Sequence, residues 1–507
     1  MTGRLLAVVG SCLVALAGLP AAPAGAVPTD QSYWVPANRS VVLHGHGFGH
    51  GHGMSQYGAQ GAAKAGLGYR QIIDFYYPKT SWSTVTGNVR VLITSDTTSD
   101  VVVGRVDGLT LRDLGTGTAY PLPAVRGATR WRISVGAGSK SVVDYLAGSW
   151  HRWKPGGRAA LAGDGEFTAP SSLTLHTPSG TRRYRGALRA ASPTAGSSVR
   201  DTVNVLSMDD YLKGVIADEM PASWHPEAVK AQAVAARTYA TWSRSQNPSR
   251  YYQICDTTSC QVYGGVGAED ARSSAAVTAT ARKILTYGGK PAFSQFSSSS
   301  GGWTSAGGVP YLTAKADPYD GLGGNPVHEW TETLTAGRIE GAYPSVGTLR
   351  RIQVVRRDGN GHWNGRVWTL VLDGTKADVT LSGDSFRSRF GLRSTWFAME
   401  ATPIIARWNT LGGASSPLGR VATREYAVPG GAVQRFANGR IYYSRGTGAH
   451  ELYGEILTTY RSRGGVTSAL GFPTSGIQRV AGGQRATFEH GSLSWSSATG
   501  RTTLTGT

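Results

Sequence analysis

The carboxyl group best suited to acid–base chemistry in this sequence is that of Glu219, which lies in a turn just before a basic, alanine-rich stretch. Its neighbours along the chain are largely apolar, namely Ile216, Met220, Pro221 and Trp224. Removing water from a carboxyl group raises its pKa, and a carboxyl that stays protonated near neutral pH can donate a proton. The surroundings of Glu219 therefore predict a general acid.

A second stretch that could do chemistry is HGHGFGHGHGMSQYGA, residues 44–59, in which histidine and glycine alternate. The histidines and Phe48 take the even positions, and glycine takes every odd position from Gly45 to Gly53. In an extended chain this alternation would put the rings on one face and bare backbone on the other. A metal cage and a phosphate-type loop are less well supported, because no nearby acidic ligand and no dinucleotide-binding unit accompanies the histidines. We expect a surface that another chain or a flat ligand can approach closely.

The cysteines form one pair once the N-terminus is removed. Residues 1–26 have a positive start at Arg4, an apolar core and a small-residue cleavage site, which together predict a secretory signal peptide. Its loss removes Cys12 and leaves Cys255 and Cys260, which we expect to form a disulfide in an oxidising compartment. Zinc bound by these two thiolates and two histidines is the alternative.

Charge and hydropathy restrict the partners. Lysine and arginine number 51 against 32 acidic residues, giving a formal net charge of +19. Exported proteins meet few nucleic acids, so we expect an anionic cell wall, and no nucleic acid, to attract this charge. No later run approaches the ~18 apolar residues of a spanning helix, so the secreted protein should lack a membrane span.

The elements that position these residues can be read from local signals. Ser55 can cap a short helix that Gly66 to Gly68 ends, and a second helix over Tyr69 to Tyr77 should stop at Pro78. Short alternating strands separated by turns fill residues 88–206 and predict an antiparallel β module. A long alanine-rich helix should follow, with Pro226 in its first turn. Together these features predict an α+β fold of two or three domains.

The C-terminal part of the chain is a repeat. A shift of 52 residues without a gap aligns Phe436 with Phe488, Gly439 with Gly491 and Ser444 with Ser496, among other pairs. We expect a small, β-rich, two-unit module over residues 400–507 that binds a surface, with most of its aromatic residues in its core.

Several long motifs carry a resemblance to a known family. GHGFGHGHGMSQYGAQGAA, YLKGVIADEMPASWHPEAVKAQAVAARTYA, CQVYGG, FSSSSGGWT and FRSRFGLRSTWF, spread over residues 44–397, resemble the stage II sporulation protein D / LytB family. LGFPTSG at residues 470–476 and the looser PLGRVAT at 417–423 resemble LGFP repeats. The resemblance implies an exported protein that acts on peptidoglycan, with repeats that hold it to anionic wall polymers.

The resemblance also implies a reaction and its acid. It implies a lytic transglycosylase that cuts glycan strands stripped of their stem peptides, with Glu219 of the E-M-P motif as catalytic residue. Such a reaction needs one carboxyl group and no cofactor, whereas an ordinary glycosidase needs two carboxyls. Asp218 is adjacent and should point elsewhere. The bare glycine face would then be a wall of the glycan cleft.

Other residues are expected to contact the glycan. We expect Lys230 and Arg237, seven residues apart on one helix face, to meet a substrate carboxylate or to orient Glu219. The remaining predicted substrate contacts are His50, Gly51, Gln56, Ser299 and Ser300.

The predicted layout has a signal peptide at 1–26, a main domain at 27–399 with a catalytic core at 207–399, and repeats at 400–507. The Gly/His motif precedes the S-S-G-G segment, whereas in the family it commonly follows it, so a circular permutation would be needed to keep both in one cleft. The rivals to the glycan-cleaving enzyme are a non-catalytic enhancer of a cell-wall amidase and a zinc amidase that uses the histidines.

Overall fold

The computed structural model describes residues 27–506 except the side chain of Asp30, and the predicted signal peptide lies outside the described residues. The chain divides into two compact units. The central unit comprises residues 42–333 and 390–399, and the terminal unit comprises residues 27–41, 334–389 and 400–506. The division into domains that the sequence predicts stays a prediction.

The described residues form a mixed α+β fold with β-rich C-terminal segments, as the sequence predicts. The helices within residues 27–506 are α1 (Gln56–Lys64), α2 (Tyr69–Tyr76), α3 (Met208–Glu219), α4 (Pro226–Gln246), α5 (Ala271–Ala279), α6 (Ala336–Ala342), α7 (Gly383–Phe390), α8 (Pro403–Thr410) and α9 (Gly454–Ser462). No helix in this part of the chain combines the length and the apolar character needed to cross a membrane.

The strands are mostly short, in keeping with the many glycine-containing turns. They are β1 (Val27–Trp34), β2 (Ser40–His46), β3 (Met54–Ser55), β4 (Ser81–Thr84), β5 (Asn88–Leu92), β6 (Val101–Gly104), β7 (Thr110–Asp113), β8 (Ala119–Pro121), β9 (Arg130–Val135), β10 (Ser141–Ala147), β11 (Ser149–Trp153), β12 (Gly165–Thr168), β13 (Leu173–Thr177), β14 (Gly180–Tyr184), β15 (Ala187–Ala191), β16 (Asp201–Ser207), β17 (Ile254–Cys255), β18 (Lys283–Tyr287), β19 (Lys290–Pro291), β20 (Phe296–Ser297), β21 (Glu329–Thr335), β22 (Leu349–Arg357), β23 (Val367–Gly374), β24 (Val379–Ser382), β25 (Phe397–Met399), β26 (Tyr426–Val428), β27 (Gly431–Phe436), β28 (Gly439–Ser444), β29 (Gly448–Tyr453), β30 (Gln478–Val480), β31 (Gly483–Phe488), β32 (Gly491–Ser496) and β33 (Thr502–Thr505).

Two large sheets form most of the β structure of the central unit. One has the strand order β11-β10-β9-β6-β13-β14 and the other β17-β5-β16-β15-β12-β7-β8. Alternate residues of their strands are buried, as at Val101 and Val103 of β6 and at Trp131 and Ile133 of β9. This alternation is the pattern expected of sheets that bury one face. All pairings within these sheets are antiparallel except the short parallel pairing of β17 with β5.

Helices α1 to α5 pack together around the long helix α4. Ser55 caps α1 by accepting a hydrogen bond from the Gly58 amide at 2.9 Å, and Pro226 takes the first position of α4, so both predicted helix starts are confirmed. The alanines of α4 are buried, and their small side chains let neighbouring helices approach closely.

The terminal unit contains a four-stranded antiparallel sheet, β1-β22-β23-β24, and two four-stranded repeats, β26–β29 and β30–β33. The repeats keep the predicted offset of 52 residues: β27 and β28 correspond position by position to β31 and β32. Phe436, Phe488, Tyr442 and Tyr460 are buried, so these aromatic residues form the cores of the repeats.

Candidate active site

Glu219 lines a cavity of about 320 Å³ in the central unit. The walls come from segments far apart in the sequence, because the cavity is lined by His50, Glu219, Tyr239, Thr258, Ser259, Cys260, Val262, Gln295 and Phe296. Glu219 is the single carboxyl group among these lining residues. Asp218 is exposed and is not part of the lining, in agreement with the expectation that it points elsewhere.

The turn that carries Glu219 follows from local sequence. Glu219 is the last residue of α3, and Met220 already has an extended backbone with φ −143° and ψ 135°. A residue before proline disfavours the helical conformation, so Pro221 sets the end of α3 at this point. The side chain of Met220 is buried and anchors the turn.

The environment of Glu219 favours its protonated form. Burial raises the pKa of this carboxyl, the amide of Val262 lowers it by donating to Oε1 at 3.1 Å, and the charge of Asp218 raises it. The net shift is upward. The C-terminal end of a helix also carries partial negative charge, which disfavours a carboxylate there. A half-buried carboxyl with one backbone donor can therefore hold a proton and later accept one.

The Gly/His segment is not the flat strand that the alternation predicts. Strand β2 ends at His46, after which Gly47, Gly49, Gly51 and Gly53 all have positive φ, between 65° and 107°. The rings do not share one face, because His46 is buried against the Trp396 ring, whereas Phe48 is exposed. The expected ring face was therefore wrong, since only glycine adopts these backbone angles readily.

The backbone of a distant segment lies against Gly47 and Gly53. A Cβ on Gly47 would lie 2.8 Å from the Ser299 carbonyl oxygen and 2.9 Å from the Gly301 amide, and one on Gly53 would meet the Gln295 carbonyl. Phe48 forms a bridge with Ser299. The close approach that the sequence suggests does occur, but the partner is segment 295–301 rather than a sugar.

This packing brings the Gly/His segment and the S-S-G-G segment together, although their order along the chain differs from the family pattern. Strand β3 pairs in parallel with β20, directly before the S-S-G-G segment. His50 lines the cavity together with Gln295 and Phe296. His50 Nδ1 accepts from the His52 amide at 2.9 Å, and His52 Nδ1 lies 3.2 Å from Gln295 Oε1. Both motifs therefore contribute to one site in spite of their order.

Gly51 and Gln56 contact protein groups. The Gly51 carbonyl accepts from the Ser305 amide at 2.8 Å, and the Gln56 side-chain amide donates to the main-chain oxygen of Glu219 at 2.8 Å. Gln56 thus reaches the acid-bearing turn through its backbone. Their substrate contacts stay predictions.

Ser299 and Ser300 are buried and their hydroxyls contact protein groups, so their contact with substrate stays a prediction. Ser299 Oγ donates to Asp320 Oδ2 at 2.9 Å, and Ser300 Oγ donates to Asp317 Oδ2 at 2.8 Å. Asp320 also accepts from the amides of Ser300 and Gly301. These serines hold the loop that covers the glycines, because their hydroxyls satisfy buried carboxylates.

Arg237 is fully buried and contacts protein groups, so its predicted role toward substrate or Glu219 stays a prediction. Its Nε donates to Asp209 Oδ1 at 2.9 Å, and its other donors meet the carbonyls of Val277 and Lys283. The residue links α4 to α3, to α5 and to β18. The spacing of Lys230 and Arg237 along α4 could not reveal that other elements cover the helix face at Arg237.

Lys230 lies near the start of α4 and pairs with Glu227 at 2.6 Å. Glu227 in turn accepts from the Tyr69 amide at 2.7 Å. Lys230 is not among the cavity-lining residues. Its contact with substrate stays a prediction.

Cys255 and Cys260 are joined by a disulfide, with Cα atoms 5.5 Å apart. Their thiols are therefore not available as zinc ligands in this structure. Cys260 lines the cavity, so the bond closes the loop that presents Thr258 and Ser259 to it. Within residues 27–506, no three His, Cys, Asp or Glu side chains are grouped in a way that could hold a metal ion.

Sequence reasoning missed several lining residues: Tyr239, Thr258, Ser259, Val262, Gln295 and Phe296. Tyr239 carried a signal, because it is a large aromatic residue in a helix made mostly of alanine. The others lie in loops and short strands whose position depends on long-range packing.

Comparison with known proteins identifies the class of this chain. A family model described as stage II sporulation protein matches residues 197–287, which include Glu219 and most of the cavity walls. The LGFP repeat model matches residues 418–468 and 470–507.

Individual relatives agree with the family models. Stage II sporulation protein D of Bacillus amyloliquefaciens is 31% identical over 259 residues, 45% of this chain and 71% of that protein. Its counterpart in Bacillus subtilis (strain 168) is 32% identical over 228 residues, 40% of this chain and 62% of that protein. The chain belongs to the stage II sporulation protein D family, which confirms the resemblance noted above.

A relative with a different name also matches. The amidase enhancer of Bacillus subtilis (strain 168) is 42% identical over 135 residues. The match covers 25% of this chain and 17% of the length of that protein.

Proposed function

We propose that this protein is a lytic transglycosylase that cleaves peptide-stripped peptidoglycan strands, with Glu219 as its catalytic acid and base. The observation that supports this proposal is the single, half-buried carboxyl group in the cavity. An ordinary hydrolysing glycosidase needs two carboxyl groups on opposite sides of the scissile bond. One carboxyl suffices when the sugar supplies its own nucleophile.

The reaction proceeds through two proton transfers at Glu219. The protonated carboxyl gives its proton to the glycosidic oxygen as the bond from that oxygen to C1 breaks. The resulting carboxylate then takes the proton of the sugar's own 6-hydroxyl while the 6-oxygen bonds to C1. The products are a free 4-hydroxyl end and a 1,6-anhydro end, and Glu219 is again protonated.

The cavity walls suit a sugar ring. Tyr239 and Phe296 offer flat apolar faces, while Thr258, Ser259, Gln295 and His50 offer hydrogen-bonding groups. The Val262 amide fixes one carboxyl oxygen and leaves the other to meet the glycosidic oxygen. In this proposal the raised pKa of Glu219 favours the protonated acid at the start of each cycle.

The test compares Glu219→Gln with wild type on peptide-free glycan strands. Glutamine keeps the size and removes the titrating group, so the cleavage rate should fall by about 10²–10⁴-fold. Asp107→Asn is the matched control, because it removes an exposed carboxyl of the same unit that does not line the cavity, and it should cleave at a rate close to wild type.

Product masses identify the reaction. Wild-type products should carry 1,6-anhydro ends and weigh one water less than hydrolysis products. Chelation by EDTA should have little effect, which separates this proposal from a zinc amidase. Hydrolysed reducing ends, or full activity of Glu219→Gln, would refute the assigned mechanism.

A second candidate is an enhancer of a cell-wall amidase, and the name of the 42% identical relative is the observation that favours it. In that case neither wild type nor Glu219→Gln would cleave any glycan, but both would raise the rate at which a purified amidase releases stem peptides from walls. Cleavage of glycan by wild type without an amidase would reject this candidate.

We further propose that the protein is secreted and that its C-terminal repeats hold it to the cell wall through anionic polymers. The two repeat matches and the formal net charge of +19 support this proposal. The secreted protein should sediment with isolated walls at low salt and be released by high salt. Equal sedimentation with walls stripped of their anionic polymers would contradict it.

A further inference from the structure

A second and larger cavity, of about 940 Å³, lies in the terminal unit. Residues of β1, β22 and β23 form one side, and α8 with the loop before β26 forms the other. The cavity is therefore shared by the four-stranded sheet β1-β22-β23-β24 and the first repeat. Its volume falls within the range of about 300–1,000 Å³ that is usual for ligand sites.

The lining of this cavity is strongly basic. Among the lining residues that the structure describes, four are arginines, Arg350, Arg351, Arg420 and Arg424, and one is acidic, Asp373. Such an excess of like charge in a concave site attracts anions and repels cations.

The arginines of β22 are held in place. Arg350 Nε donates to Asp373 Oδ1 at 2.7 Å, and Arg351 Nε donates to Asp373 Oδ2 at 2.6 Å. A guanidinium group has five N–H donors, so these bonds fix both side chains and leave further donors for a ligand. Asp373 thus orients two cations that remain about a third to a half exposed, at 32% and 47%.

The arginines of the first repeat are exposed. Neither Arg420 nor Arg424 lies within 4 Å of an acidic group in the part of the chain that the structure describes. Their charges are therefore not neutralised by an ion pair on that surface.

Comparison of the two repeats shows that these arginines replace other residues. The offset of 52 residues puts Phe472 of the second repeat at the position of Arg420, and Gly476 at the position of Arg424. Phe472 is buried in the second repeat's core, and a Cβ on Gly431 of the first repeat would lie 2.9 Å from its ring. Phe472 of the second repeat therefore contacts the first repeat, which is the module before it.

Within the terminal unit, the module before the first repeat is the four-stranded sheet β1-β22-β23-β24. A phenylalanine at position 420 would be expected to close that junction as Phe472 closes the next one. An exposed arginine there forgoes the apolar burial that a phenylalanine would gain. The replacement leaves a cavity and adds a cation to its wall.

Aromatic rings complete the site. Trp34 is partly buried, and the Arg351 guanidinium lies over its ring at 5.5 Å from the centroid. Trp408 lines the opposite side. Flat rings of this kind pack against sugar rings, while arginine pairs bidentately with carboxylates and phosphates.

We propose that the cavity between the four-stranded sheet and the first repeat binds a segment of an anionic polysaccharide, with Arg420 and Arg424 holding carboxylate or phosphate groups on its sugars. The proposal rests on the wall-binding role proposed above and not on glycan cleavage by Glu219. It assigns that role to a junction rather than to the repeats alone.

The test measures binding of soluble ligands to the full secreted chain by calorimetry at low salt. The probes are tetragalacturonate for carboxylates, a glycerol phosphate tetramer for phosphates, inorganic phosphate, and the neutral sugar chitotetraose. The double variant Arg420→Gln/Arg424→Gln is compared with Arg445→Gln/Arg463→Gln, which removes the same charge from exposed positions of the repeats outside the cavity.

We expect at least one of the two anionic oligomers to bind saturably, and Arg420→Gln/Arg424→Gln to weaken it by about tenfold or more. A single charge-assisted contact contributes roughly that much. The control should weaken binding less than about twofold. The oligomer that binds identifies the anion as carboxylate or phosphate, and either result supports the proposal.

A second variant guards against misfolding. Arg420→Phe/Arg424→Gly restores the residues of the second repeat, so it should keep the urea unfolding midpoint and still lose binding. Four outcomes would each overturn the proposal. These are equal losses of affinity in both glutamine variants, binding of chitotetraose as strong as that of the anions, binding of inorganic phosphate alone, and no saturable binding. These probes are soluble oligomers rather than wall strands, and the assay does not measure cleavage. Failure of this proposal can therefore be distinguished from failure of wall binding and from failure of transglycosylation.

Discussion

The buried carboxyl of Asp317 should make the central unit less stable as pH rises. Burial and the nearby charge of Asp320 raise the pKa of Asp317 to about 6 from an ordinary value of 3.8, although Ser300 and Tyr76 donate to it. A carboxyl whose pKa is raised by folding contributes stability below its unfolded pKa, and that stability is lost as pH rises through the folded pKa. Asp317→Asn removes the titration and keeps an acceptor oxygen.

The magnitude follows from the shift. The difference between 3.8 and about 6 is roughly two pKa units, and each unit corresponds to about 1.4 kcal/mol. Most of the loss falls between about pH 4 and about pH 7, so the free energy of unfolding should drop by roughly 2 kcal/mol more in wild type than in Asp317→Asn over that interval.

Asp320 provides a control of opposite sign. Burial raises its pKa, but hydrogen bonds from His328, Ser55 and Ser299 outweigh burial and lower it overall. Its contribution to stability should be present above its unfolded pKa and be lost as pH falls, so Asp320→Asn should lose most stability near neutral pH. Asp107→Asn, an exposed aspartate of the same unit, controls for the loss of one charge.

Urea unfolding followed by tryptophan fluorescence at several pH values measures these differences. If the terminal unit unfolds separately, the aspartate variants should shift only the unfolding transition of the central unit. Parallel pH curves for wild type and Asp317→Asn would refute the reasoning, as would a steeper loss in the variant. They would show that this carboxyl is ionised at neutral pH without cost to the fold.

Three further predictions concern single features. Gly47→Ala should lower the free energy of unfolding by more than the ~1–2 kcal/mol of left-handed backbone strain, because its Cβ would also meet the backbone of Ser299 and Gly301. Gly117 also has a positive φ but has open space around it, so Gly117→Ala should lower the free energy of unfolding by the backbone strain alone. Arg237→Gln should destabilise the protein by about 3–5 kcal/mol in urea, because it leaves buried partners without a donor. The KM of any folded fraction should not rise, and a raised KM at unchanged stability would support the substrate role instead. The intact mass of the secreted protein should correspond to a start at residue 27, and Cys255 and Cys260 should be alkylated only after reduction; alkylation without reductant would reject the disulfide.

Local signals were sufficient for the parts of the fold that depend on neighbours in sequence. The Ser55 cap, the proline at the start of α4 and the proline after Glu219 act within one helical turn, so they predict helix ends without knowledge of tertiary structure. The repeat was visible because 52 residues of pattern recur without a gap. The apolar neighbours of Glu219 predicted the direction of its pKa shift because they, too, lie close to it in sequence.

Features that depend on distant packing were not predictable in this way. The alternation of glycine and histidine suggests a strand, but the glycines adopt positive φ because segment 295–301 packs on them. Arg237 and Ser299 look like polar residues available to substrate until the elements that bury them are in place. Such residues are polar because they satisfy buried partners, and no sequence pattern distinguishes that role from ligand contact.

The role of Gln56 links the first motif to the acid. The last carbonyls of a helix lack donors within the helix, and Gln56 supplies one to the main-chain oxygen of Glu219. Gln60, one helical turn later on the same face of α1, accepts from the amide of His225 at 2.9 Å, at the start of α4. Between them, the ring of Tyr57 lies 4.8 Å from that of Trp224. Helix α1 therefore holds both ends of the turn from Glu219 to His225, and Gln56 acts on the position of the acid through the backbone.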